Sequence, residues 1–188
     1  MSSKEQIIQA AHRVFKRFGY NKASMNDIAG ESRKGRRTIY THFTGKEDVF
    51  LAVIDAEVQK LADKLSKLQQ QPILPKEKLR MYMTIRMQAL KDLTIYYEAL
   101  RQDIAGNLGF MEKIRKEYDK IEINMIKSIL DEGNASEHFK IDDTQLVAEA
   151  ILLAAKGFEL PIFMGKTDYD FNRLINPLID LLYDGIGR

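Results

Sequence analysis

Between residues 33 and 46 the chain concentrates groups that bind phosphates and nucleobases: Arg33, Lys34, Arg36, Arg37, Thr38, Tyr40, Thr41, His42 and Lys46. Arginine forks fit guanine edges, hydroxyls serve bases or phosphates, and lysine meets phosphate as a point charge. Ile39 and Phe43 interrupt this polar run at helical spacing. A short helix would bury those two and turn Arg36, Arg37, Thr38, Tyr40, Thr41 and His42 outward. Upstream, Ser24 and Asp27 have the spacing of a reciprocal helix cap, with Asp where Glu is usual. They open a helix that buries Met25, Ile28 and Ala29. A turn near Arg33-Lys34-Gly35 follows. It can be built with Arg33 in the left-handed region, or with Gly35 taking the strained position. Two short helices about a tight turn, with small Ala29 at the crossing, make a helix-turn-helix pattern. The second helix of such a unit enters the DNA major groove. Arg36, Arg37, Thr38 and Thr41 are then placed for base edges. Tyr40, His42 and Lys46 are placed for phosphates, with Ser24, Arg33 and Lys34 in support.

These groups need a frame. Apolar residues at 7, 8, 11, 14, 15 and 18 repeat with helical period, and Gly19 ends that first helix. Thr44 and Glu47 suggest a cap for a fourth helix, whose stripe of Val49, Phe50, Val53, Ile54, Val58, Leu61, Leu65 and Leu68 runs far beyond the polar cluster. Gln69 to Pro75 reads as a connector. Helices are expected at about 76–92, 94–105, 110–132, 142–160 and 170–184. Breaks fall at Gly106 to Gly109 and at Gly133-Asn134, and Pro177 should kink the last helix. Little β signal is present. The expected fold is all-α: a three-helix helix-turn-helix domain over residues 1–48, joined by a long helix to a larger helical domain over residues 49–188.

At Ile7-Ile8-Gln9-Ala10-Ala11, Val14-Phe15, Phe18-Gly19-Tyr20, Ser24 to Ala29, Thr38 to Phe43 and Lys46-Glu47-Asp48 the chain resembles the TetR family of bacterial transcriptional regulators. The order and spacing hold over roughly the first quarter of the chain. The family usually has Gly between apolar residues where this chain has Ser32-Arg33-Lys34, and Gly before the Thr where it has Arg37. The resemblance implies DNA contacts at Tyr40, His42 and Lys46. It also implies a larger domain that binds an effector, and dimerisation through the last helices.

The formal charge of +2 hides an asymmetry. Residues 1–48 hold ten Lys/Arg and five Asp/Glu, so the remaining chain is net acidic. A basic module on a mildly acidic body suits a polyanion at one end only. No cysteine is present, which excludes disulfides and thiolate metal sites and fits a reducing cytoplasm. The N-terminus lacks a secretory apolar region. The most apolar run, Leu146 to Phe163, is interrupted by Glu149, Lys156 and Glu159.

Four of the eight tyrosines and five of the eight methionines fall between residues 81 and 125. Such side chains line adaptable apolar cavities, although at helical spacing they also fill ordinary cores. Tyr82, Met83, Arg86, Met87, Tyr97, Tyr118 and Met125 are the candidate effector contacts. An inward Arg86 needs a protein carboxylate or an anionic ligand. Helices 142–160 and 170–184 are apolar over more than one stripe, so they are either fully buried or paired with a second chain. The preferred reading is a two-fold dimer through Val147, Ile151, Ala154, Phe158, Leu174, Leu178 and Leu181, which fits a palindromic operator.

The histidines at 12, 42 and 138 show no ligand spacing, His12 reads as a surface or boundary residue, and no phosphate loop or nucleophile elbow occurs. No catalytic residue, metal site or cofactor is expected. The sequence therefore points to a cytoplasmic, bacterial, homodimeric DNA-binding repressor released by a small molecule. The alternative is a helical ligand-binding or protein-interaction module that has lost DNA binding.

Overall fold

The computed structural model describes residues 2–89, 93, 95, 108–163, 173 and 176–181. Every regular element among the described residues is an α-helix. They are α1 (Ser3–Lys22), α2 (Met25–Ser32), α3 (Arg36–Tyr40), α4 (Lys46–Gln69), α5 (Pro75–Ala89), α6 (Leu108–Ala135) and α7 (Thr144–Phe163). Residues 176–181 are also helical. The chain forms two compact units. The first is Met1–Lys60 with Leu93–Leu108, and the second is Leu61–Asp92 with Gly109–Arg188. The expected helix over 94–105, Leu174 and Tyr97 lie outside the described residues, as do the side chains of Phe158 and Met111.

In the first unit, α1 buries Ile7, Ala10, Ala11, Val14 and Phe15. Phe18, expected in the core, is 43% exposed, with the Arg17 guanidinium over its ring. Gly19 has φ +72°, a conformation open to glycine, so the helix is kinked there and the chain turns toward α2. Phe15, Tyr20 and Phe50 pack ring on ring, at centroid distances of 5.0 Å for Phe15–Phe50 and 4.5 Å for Tyr20–Phe50. This aromatic knot fixes α4 against α1. The cap of α4 differs from expectation: the Thr44 N–H donates to Asp48 at 2.8 Å, not to Glu47. The helix starts at Lys46, so Asp48 is the acid that reaches back over its first turn.

A buried carboxylate adds a polar tie. Glu57 of α4 is 5% exposed. It lies 2.9 Å from His12 Nε2 of α1 and accepts the Ile95 N–H at 3.2 Å. His12 is therefore a half-buried boundary residue, one of the two positions expected for it, and it is paired.

In the second unit, Lys78 is 4% exposed and donates to Glu132 and to the Gln69 carbonyl. Gln69 in turn donates to the Met125 carbonyl. The end of α4, α5 and α6 are thus joined at one point. Arg80 and Lys76 of α5 both reach Asp180, and together they hold its carboxyl below the usual range. Two expected helix ends move. Gly133-Asn134 does not stop α6, which continues to Ala135. Gly133 serves close approach instead: a Cβ there would lie 1.9 Å from the Phe139 ring. Pro161 does not end α7 either, since the helix reaches Phe163. A proline in the last turn removes one N–H that would have bonded to the Gly157 carbonyl, and the helix tolerates that loss near its end.

Candidate nucleic-acid interface

Two capped corners hold the polar cluster. Ser24 Oγ accepts the Asp27 N–H at 3.2 Å, and Asp27 accepts the Ser24 N–H at 2.8 Å. The reciprocal cap is therefore formed with the shorter acid. The Ser24 hydroxyl also donates to Asp27 and is the main cause of its lowered carboxyl pKa. A lowered carboxyl pKa stabilises the fold above the ordinary carboxylate range. That contribution is lost as pH falls through the lowered value.

The turn after α2 is built on Arg33, at φ 53° and ψ 30°. The Arg33 N–H bonds to the Gly30 carbonyl and the Lys34 N–H to the Ala29 carbonyl, both at 3.3 Å. This is the paired C-terminal bonding of a Schellman motif, with Arg in the position glycine usually holds. Gly35 has φ −61° and is the ordinary N-cap of α3. The first of the two possible turns is the one formed. A left-handed non-glycine residue costs about 1–2 kcal/mol. Arg33→Gly should therefore raise stability by about 1 kcal/mol in urea unfolding. If Arg33 meets a phosphate, the same change should flatten the log–log salt slope of DNA binding by about 0.9. An unchanged slope would remove Arg33 from the interface.

Helix α3 is five residues long, shorter than the run to Phe43 suggested. Ile39 and Phe43 are buried as expected, at 0% and 2% exposure. Arg33, Arg36, Arg37, Tyr40, Thr41 and His42 are exposed, and Lys34 and Thr38 are half-buried. Helical spacing thus separates a buried pair from an outward row of cations, hydroxyls and an imidazole. The Arg36 guanidinium lies 5.9 Å from the Tyr40 ring centre, and the Thr41 hydroxyl donates to the Thr38 carbonyl at 2.7 Å. Lys46, half-buried, has backbone partners within the unit. Its ammonium points to the end of α1, donating to the Tyr20 carbonyl at 2.9 Å and the Ala23 carbonyl at 3.1 Å.

The expected effector contacts lie in the second unit. Tyr82, Met83, Arg86 and Met87 of α5 are buried, and Tyr118 and Met125 of α6 are half-buried. The partner that an inward Arg86 requires is Glu122, which the sequence reading missed. One carboxylate oxygen accepts Arg86 Nε at 2.7 Å and the Tyr82 hydroxyl at 2.8 Å. Burial, and then the Glu122 charge, push the Tyr82 hydroxyl well above its usual pKa, so it remains a donor.

The expected dimer face needs one correction. Ile151 is 5% exposed, on the side of α7 turned into the protomer with Ala148, Leu152 and Ala155. The outward side carries Leu146 and Leu153, at 62% and 68% exposure, with exposed Ala150, Ala154 and Gly157. Val147 and Leu178 are half-buried, and Leu181 is 70% exposed. Among the described residues no helix is long and apolar enough to cross a membrane.

A capped helix, a tight turn and a second helix with an outward basic row define a helix-turn-helix protein. A family model described as bacterial regulatory proteins of the tetR family matches residues 7–53. The fatty acid metabolism regulator protein of Bacillus subtilis (strain 168) is 28% identical over 186 residues, covering 96% of this chain and 94% of the relative. The HTH-type transcriptional regulator QacR of Staphylococcus aureus (strain Mu50 / ATCC 700699) is 26% identical, covering 84% of each chain. Among solved structures, a TetR transcription regulator from Haloarcula marismortui superposes with a TM-score of 0.80 at 18% identity, over 99% of this chain and 98% of that one. The regulator FadR from Bacillus subtilis, in complex with stearoyl-CoA, superposes with a TM-score of 0.77 at 23% identity, over 97% of this chain and 98% of that one. At those identities the structures speak for the fold. Over residues 7–53 the chain matches the tetR family of bacterial regulatory proteins, and over most of its length it is similar to transcriptional regulators.

Proposed function

We propose that the protein is a homodimeric, cytoplasmic repressor, not an enzyme, whose operator complex is released by a long-chain acyl thioester. The observation that carries the DNA side is the outward row of α3, with Ile39 and Phe43 beneath it. Arg36, Arg37, Thr38 and Thr41 read base edges. Tyr40, His42, Lys46, Arg33, Lys34 and Ser24 hold the phosphate backbone. Residues 1–48 form the DNA-binding domain, and residues 49–188 the effector-binding and dimerisation domain. The acyl thioester is suggested by relatives named for fatty acid metabolism and for a stearoyl-CoA complex. The apolar residues Met83, Met87 and Met125, with Tyr82, Arg86, Tyr97 and Tyr118, are its proposed contacts.

The test begins with an operator selected from random DNA duplexes. Binding should weaken steeply with salt, by about 0.9 log units per log unit of salt for each phosphate neutralised. Arg37→Ala should cost about 1–3 kcal/mol and relax the preference at one base pair. Stearoyl-CoA should bind the protein in calorimetry. It should weaken operator binding by about 5–150-fold, the usual range of such coupling. Failure to select any operator would favour the module that has lost DNA binding. Selection of an operator with no response to stearoyl-CoA would leave the repressor and remove the acyl thioester.

A further inference from the structure

Helix α1 and the turn after α2 enclose a polar cleft of about 520 Å³. Gln6, Gln9 and Arg13 stand on the α1 side, and Glu31, Arg33 and Lys34 on the other. No residue of α3 lines it, so the cleft is separate from the outward row that carries the base-reading side chains. Three cations here meet one carboxylate, which leaves two positive charges in balance. The carboxylate is already committed: Glu31 accepts Arg13 Nε at 2.6 Å. That bond engages one side of the guanidinium. The edge made by its two terminal Nη groups has no partner among the described residues, and neither have the side chains of Arg33, Lys34, Gln6 and Gln9.

The groups that remain are chiefly donors: two guanidinium groups, one ammonium and two amides. Guanidinium edges meet phosphate oxygens in pairs, and an ammonium meets them as a point charge. Two positive charges match two successive phosphates of a DNA strand, or one phosphate monoester near neutral pH. The backbone points the same way. Arg33 keeps a left-handed conformation, φ 53°, that glycine would adopt without strain. Strained non-glycine residues of this kind cluster at ligand sites. The bonds from Arg33 N–H to Gly30 and from Lys34 N–H to Ala29 hold both cations at the mouth of the turn. We propose that the cleft is a phosphate-binding site, in which Arg13 joins Arg33 and Lys34 on the operator backbone and Gln6 and Gln9 serve as neutral donors. The contact reads no base. It adds affinity and register, and leaves sequence preference to α3.

The proposal rests on the DNA-binding reading of α3, and the experiment separates the two. Wild type, Arg13→Gln, Arg13→Lys and Glu31→Ala are titrated on the selected operator over a salt series. Inorganic phosphate is also titrated into each protein without DNA, at constant ionic strength, while NMR follows the amides of residues 6–13 and 31–35. The Arg13–Glu31 pair has side chains 56% and 40% exposed, and such pairs add little to stability, so all four proteins should fold. Arg13→Gln should flatten the log–log slope by about 0.9 and weaken binding to all sequences alike. Arg13→Lys keeps the charge, and its slope should stay within about 0.3 of wild type. Glu31→Ala removes the acid that offsets the cations, so its operator binding should tighten and its slope should not fall. Loss of slope in Arg13→Gln, with none in Glu31→Ala, assigns the site to the operator. If Arg13→Gln keeps its slope, but phosphate shifts the cleft amides of wild type and not those of Arg13→Gln, the site stands and its occupant is a free phosphate monoester. The proposal is overturned if Arg13→Gln keeps its slope and phosphate moves no cleft amide. It is overturned equally if Glu31→Ala loses the same slope as Arg13→Gln, because the effect then runs through the pair and not through a phosphate. If wild type selects no operator, the DNA-binding reading fails, and the phosphate titration alone decides the cleft.

Discussion

Replacing Glu122 by Ala should destabilise the second unit by about 3–5 kcal/mol, the usual cost of removing one partner from a buried ion pair. Arg86 and Glu122 have side chains only 6% and 13% exposed, so water does little to screen their interaction. A single Glu122 oxygen serves both Arg86 and the Tyr82 hydroxyl. The substitution therefore removes the charge that offsets the guanidinium, and at the same time the acceptor of a tyrosine that is 1% exposed. Glu122→Gln keeps an acceptor oxygen but not the charge, and should fall between wild type and Ala. The double change Arg86→Met with Glu122→Leu should recover most of the loss, because well-packed apolar residues often match or exceed a buried pair. Urea unfolding with a common m-value is the measurement. A loss below about 1 kcal/mol for Glu122→Ala would mean that the pair is solvated in solution. The result also bears on the effector. A variant at Arg86 or Glu122 that no longer responds to stearoyl-CoA has two explanations, lost contact or lost fold. The half-buried Tyr118 and Met125 are the better positions for testing contact alone.

The same pair shows why part of the second unit was illegible in the sequence. Apolar spacing places Met111, Ile114, Tyr118, Ile121, Met125 and Ile129 on one face of α6. In the structure Ile121 is 42% exposed, whereas Ile126, Ile129 and Leu130 are buried. The inward stripe runs through Glu122 and Gly133, so hydrophobic periodicity alone points about one residue away from it. A charge that is inward because it has a partner on another helix leaves no local signal. Lys78 and Glu57 were missed for the same reason: each is buried only because a distant residue pairs with it.

The helix-turn-helix was legible because its determinants are local. The Ser24–Asp27 cap, the bend at Gly19 and the burial of Ile28, Ile39 and Phe43 all follow from spacing within a few residues. The turn itself was legible only to the point of a choice. Arg33 and Gly35 could each have taken the strained position, and intrinsic preference favours glycine. The length of α2 decided otherwise: it ends at Ser32, and the next residue must turn left-handed for Lys34 N–H to reach Ala29. The type of Lys46 suits a phosphate, and nothing in the sequence reveals that the carbonyls of Tyr20 and Ala23 also lie within its reach.

Leu153→Glu should convert the proposed dimer to a monomer and lower operator affinity by about 10²–10⁴-fold, the advantage that a second linked site confers. Leu153 and Leu146 are 68% and 62% exposed on the outward side of α7, with the small residues Ala150, Ala154 and Gly157 between and beyond them. Large apolar side chains flanked by small ones allow another helix to approach closely. Leu181, 70% exposed in the 176–181 helix, offers a further anchor. Glutamate at 153 would have to bury an unpaired charge against the partner, which opposes association. In the separated protomer it would simply face water, so folding should be preserved. Ile151 cannot make this test. It is turned into the protomer core, and a charge there would disturb the fold before it reached any partner. Leu153→Ala should weaken the dimer without abolishing it, since it trims contact area and adds no charge. Sedimentation at micromolar concentration reads the assembly, and anisotropy on full and half operators reads its consequence. The monomer should still bind a half operator with the affinity of wild type for that half, because α3 is untouched. If Leu153→Glu sediments as wild type, this face of α7 is not the interface. If it is monomeric yet holds the full operator undiminished, recognition does not depend on a two-fold pair.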